Sequence, residues 1–92
     1  MHLVHLHLTR PHGPTPEQAD ANLIHDTLWA LTPPDAGIEH ISARAGPHGI
    51  DLTLFLHHHI PDPDPDHYAR TLLATLTPTS PTLNTWHITT TH

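Results

Sequence analysis

Residues 3–9 alternate strictly, with Val4, Leu6 and Leu8 on one face and His5, His7 and Thr9 on the other. This period-two pattern predicts a half-buried strand, which Pro11, Gly13 and Pro14 end. Thr15-Pro16-Glu17-Gln18 follows with helix-start chemistry: Thr15 as cap, Pro16 in the first turn and Gln18 at capping-box spacing. Ala21, Ile24, Leu28 and Leu31 then recur at helical spacing as one apolar stripe, and Pro33-Pro34 stops the helix. Segments 38–45 and 50–57 flank Gly46-Pro47-His48-Gly49 and read as a β-hairpin. A four-residue loop pairs 45 with 50, which sets Ile41 opposite Leu54, Ala43 opposite Leu52 and, on the other face, Arg44 opposite Asp51 as an ion pair.

Residues 60–66, where Pro and Asp alternate, read as a stiff extended linker ending in Asp64 as helix cap and Pro65 in the first turn. The same aspartates do not make a calcium loop, because the central Gly and a closing Glu are missing. Ala69, Leu72, Leu73 and Leu76 form the second helical stripe, closed by Pro78 and Pro81. A last strand is expected from Leu83 to Thr90, with Trp86 and Ile88 inward and Thr85, His87 and Thr89 outward.

The order β-α-β-β-α-β over residues 1–92 resembles the ferredoxin-like sandwich, an α+β fold with two helices on one face of a four-stranded antiparallel or mixed sheet. Right-handed crossovers lead to the expectation that strands one and three form a parallel central pair, with strand order 4-1-3-2. Three functions hosted by this fold are disfavoured. An acylphosphatase needs a glycine-rich anion loop after strand one, but the prolines in Thr9-Arg10-Pro11-His12-Gly13-Pro14 remove the required amides. An RNA-recognition domain needs several sheet aromatics, and Phe55 is alone here. A heavy-metal chaperone needs cysteines, and the chain has none.

Composition narrows the field further. Of 92 residues, 13 are His, 14 Thr and 11 Pro, with no Lys. CAC, ACC and CCC codons differ only at the first base, so a C-rich coding strand explains the joint excess more economically than selection for histidine chemistry. The net charge of −6 argues against a nucleic-acid partner. No apolar run is long enough to span a membrane, and the missing leader and cysteines point to a cytoplasmic chain.

The candidate chemistry therefore lies on the sheet face that helices leave uncovered. Alternation assigns to it His5, His7, His40, Ser42, Arg44, Asp51, Thr53, Phe55, His57 and His87. The reading preferred here is a small non-enzymatic binding or assembly module, a homodimer or a protein's partner. It would associate through this face or through an edge strand, using His5, His7, His40, Arg44, Asp51, Phe55, His57 and His87, with no cofactor. The alternative is a small cofactor-independent enzyme of isomerase, cyclase or monooxygenase type with a His or Asp base. A further alternative is zinc held by His5, His7 and His87, although His-x-His spacings at this histidine content arise by chance. His57-His58-His59, read as strand residues, would alternate faces and could not share a site.

Overall fold

The computed structural model describes residues 2–60 and 63–89. Its elements run β1 (His2–Thr9), α1 (Gln18–Leu31), β2 (Ile38–Gly46), β3 (Gly49–Leu56), α2 (Pro65–Leu76), a short 3-10 turn (Thr77–Thr79) and β4 (His87–Thr89). The four strands form one antiparallel sheet in the order β2-β3-β1-β4, which counted from the β4 edge is 4-1-3-2. The expected parallel central pair is overturned, because β1 and β3 run antiparallel from His2↔Leu56 to Leu8↔Ile50. Each helix instead links two strands separated by a third. β1 and β2 share a direction because both oppose β3, while β3 and β4 share one because both oppose β1.

The hairpin adopts the register read from its alternation, with Ile41↔Leu54, Ala43↔Leu52 and Arg44↔Asp51. That register slips by one residue between Ile38 and His40, where Glu39 is bulged out. The even-numbered residues Val4, Leu6, Leu8, Ile50, Leu52, Leu54 and Leu56, with Ile41 of β2, face the helices. They bury against Ala21, Ile24 and Leu28 of α1 and Ala69 and Leu73 of α2. Leu31 departs from the expected stripe and stays 37% exposed in the last turn of α1. Leu72 and Leu76 are only half-buried.

Helix starts follow local hydrogen bonding. Asp64 caps α2 as expected, its carboxylate accepting from the backbone N–H groups of Asp66 (3.1 Å) and His67 (3.3 Å), with Pro65 next. In α1 the cap is Glu17, not Thr15. Glu17 accepts from the Asp20 N–H while its own N–H donates to Asp20 Oδ2 at 2.9 Å, a reciprocal box shifted from the one expected. Gln18 is released for another task. Its side-chain amide donates to Ala43 O and accepts from Ala45 N, both at 3.2 Å, and so occupies backbone groups on the outer edge of β2.

β4 is shorter than expected. Leu83 to Thr85 lie in turns closed by Leu83 N→Ser80 O, Asn84 N→Ser80 O and Trp86 N→Leu83 O, and among the described residues His7, Leu8 and Thr9 pair with the strand. Leu83 and Trp86 are buried nonetheless, which is why the segment resembles a strand in sequence. Part of the proline–aspartate linker, including Asp62, and the expected strand end at Thr90 lie outside the described residues. Among those residues, no helix is long and apolar enough to cross a membrane.

Candidate functional site

The odd-numbered positions of β1 and β3, with the even-numbered ones of β2 from His40 onward, point away from the helices and line up across strands. One row runs Arg44, Asp51, His7, Thr89; the next runs Ser42, Thr53, His5; a third runs His40, Phe55, Leu3. The first two rows enclose an open depression of about 470 Å3, floored by Leu6 and Leu52 and lined by His5, His7, Ser42, Arg44, Asp51 and Thr53.

Asp51 has two cross-strand neighbours, and its bond is to β1. His7 Nδ1 donates to Asp51 Oδ1 at 2.8 Å, whereas no ion pair joins Arg44 to Asp51. The expected Arg44–Asp51 pair is therefore corrected: the register is right, but the imidazole takes the carboxylate. His7 is the more enclosed partner, its side chain 22% exposed against 65% for Asp51. Its other ring nitrogen lies over Gly49, where a Cβ would fall 2.7 Å from Nε2. The pair thus fixes the orientation of the ring. His5 Nδ1 hydrogen-bonds Thr53 Oγ1 at 3.1 Å.

The third row is apolar and aromatic. His40 meets Phe55 edge-to-face with ring centroids 5.3 Å apart, and Leu3 beside Phe55 is 54% exposed. His87 pairs with Thr9, two positions beyond the His7↔Thr89 pair. The proposed histidine trio does not assemble: His7 is held by Asp51, His5 by Thr53, and His87 lies further along the sheet. Among the described residues, no group of three or more His, Cys, Asp or Glu is placed to hold a metal ion.

His57 lies just past the end of the strand. β3 ends at Leu56, and the His57 N–H donates to Gly37 O at 2.8 Å as the chain turns. Because His57, His58 and His59 occupy a turn, strand alternation does not separate them. Their ring centroids lie 5.1–6.2 Å apart, with His2 another 6.2 Å from His58. The His58 pKa is lowered from the ordinary 6.5, first by the positive amino terminus, then by desolvation and by His57, His2 and His59. A lowered imidazole pKa means that the unfolded chain binds the proton more readily. The contribution of His58 to stability is accordingly lost as pH falls below about 6.5. A His58→Gln variant should lose less stability than the parent in urea melts taken on either side of that pH; an identical loss would contradict the assignment.

Sequence reasoning missed two features, the Gln18 contact with β2 and a cation–π contact of Arg10 with Trp86, whose ring centroid lies 4.6 Å from the guanidinium carbon. No local signal marks either, because each joins segments far apart in the chain. Comparison with protein-family models, curated proteins and solved structures gives no significant match.

Proposed function

We propose that this chain is a non-enzymatic binding module of ferredoxin-like type whose uncovered sheet face contacts a second copy of itself. The observation that carries the reading is the asymmetry of that face. An apolar row of His40, Phe55 and exposed Leu3 adjoins two hydrogen-bonding rows, the combination of anchor and polar surround that protein contacts use. The edges favour this route less: Gln18 occupies part of β2, and β4 is three residues long. Small domains also gain stability by association. The β-α-β-β-α-β element order supports the ferredoxin-like assignment.

Light scattering should find a dimer at micromolar concentration, and Phe55→Glu should return it to a monomer without changing its circular dichroism. A parent chain that stays monomeric overturns the proposal.

A second reading, an enzyme using His7 as an oriented base, is favoured by the 2.8 Å His7–Asp51 bond beside the depression. The two readings separate by diethyl pyrocarbonate modification. A face-to-face dimer shields His7, whereas a working pocket leaves it open to solutes.

A further inference from the structure

Away from the open depression, the loop that follows β1 meets the start of β4 around a second hollow of about 320 Å3, lined by Arg10, Pro11, His12, Thr85 and His87. We propose that this hollow binds a small oxyanion, a phosphate or carboxylate group, through the side chains of Arg10, His12 and His87. The prolines of the loop deny it a cradle of backbone amides, so the recognition proposed is by side chains.

Three observations carry the proposal. First, the chain has nine carboxylates against three arginines, yet no carboxylate is among the five residues lining this hollow. Arg10, His12, Thr85 and His87 line it instead. Second, the guanidinium is held in place before any ligand arrives. It lies over the Trp86 ring at 4.6 Å and donates from one terminal nitrogen to Pro14 O at 3.2 Å. A planar fork fixed in this way loses little freedom on meeting a matching oxyanion. Third, Arg10 is half-buried without a counter-ion. Arg70 is paired with Asp66 at 2.7 Å, whereas among the described residues no carboxylate pairs with Arg10, and its Nε is buried with no hydrogen-bond partner. Gly13, at φ +123°, lets the loop fold against this nitrogen, since a Cβ there would fall 3.0 Å from Nε. That nitrogen is covered by the loop, so it is the guanidinium's terminal nitrogens that can face the hollow. A half-buried cation with no counter-ion among the described residues is a standing cost that an anion bound to them would offset.

Trp86 supplies the readout. In a Trp29→Phe background its fluorescence is titrated with inorganic phosphate, and separately with succinate, near pH 6 at constant ionic strength. The expected result is a saturable change with at least one of them, and the one that saturates identifies the class of anion. Replacing both exposed histidines (His12→Asn with His87→Asn) should weaken the midpoint roughly tenfold. Arg10→Gln should abolish the response. Should loss of the Trp86 contact unfold that variant, the double histidine variant still decides the matter. A linear response to both anions, or a midpoint unchanged by the histidine substitutions, overturns the proposal.

Discussion

Gly49→Ala should cost about 3 kcal/mol, the upper end for forcing extra volume into a packed site. For a domain of this size that corresponds to a fall in Tm of roughly 12–24 °C. The new Cβ would lie 2.2 Å from Leu8 O and 2.7 Å from His7 Nε2. An imidazole can swing aside, but a strand carbonyl cannot move without carrying the β1–β3 ladder with it. These two contacts can be told apart. Adding His7→Ala to Gly49→Ala removes the ring and leaves the carbonyl, so the double variant should recover only a small part of the loss. Thermal and urea unfolding of the three chains test this, and recovery to the stability of His7→Ala alone would show that the ring, not the backbone, sets the limit.

Leu54→Ala should cost about 2–5 kcal/mol. Leu54 is 1% exposed on a central strand, with Val4 opposite on one side and Ile41 on the other. Truncation there opens a void beneath both helices that no side chain on a neighbouring strand can fill without leaving its own row. A domain of this length has a total stability on the order of 5–14 kcal/mol, so the variant should lose a substantial fraction of it. Leu31→Ala, at a position the helical stripe counts as equivalent, should cost less than about 1 kcal/mol because that side chain is already partly in water. The measurement is the urea midpoint at constant slope. Equal losses at the two leucines would contradict the placement of the core.

The hairpin was legible because two patterns of different origin, apolar alternation and the Arg44/Asp51 charges, required the same register. The partner that Asp51 takes was not legible. A central-strand residue has a neighbour on each side, and choosing between Arg44 and His7 requires the β1–β3 register, which pairs residues 44 apart in sequence. The same limit hid Gln18: at capping-box spacing from Thr15 it resembles a helix-start residue, while its partners lie 25 and 27 positions away. The three consecutive histidines misled for a simpler reason. Alternation holds only while the chain remains extended, and β3 stops one residue before His57. Trp86 and Leu83 look like strand residues because burial alone produces that pattern, whether a ladder or a turn delivers it. The open-face residues other than His57 were placed on the right side of the sheet, since period two fixes the side even when the neighbours are unknown.

The Gln18 contact gives the folding molecule an order of events. The same residue opens α1 and occupies two backbone groups on the outer edge of β2, so those groups are covered only while the helix is seated. Whenever α1 lifts, Ala43 O and Ala45 N join the unpaired groups that the outer edge of β2 presents to whatever chain is near. A sheet that has lost this helix would therefore offer a more open edge to strand pairing than the folded chain does. Storage lifetime should follow how often α1 detaches more closely than it follows the global melting temperature.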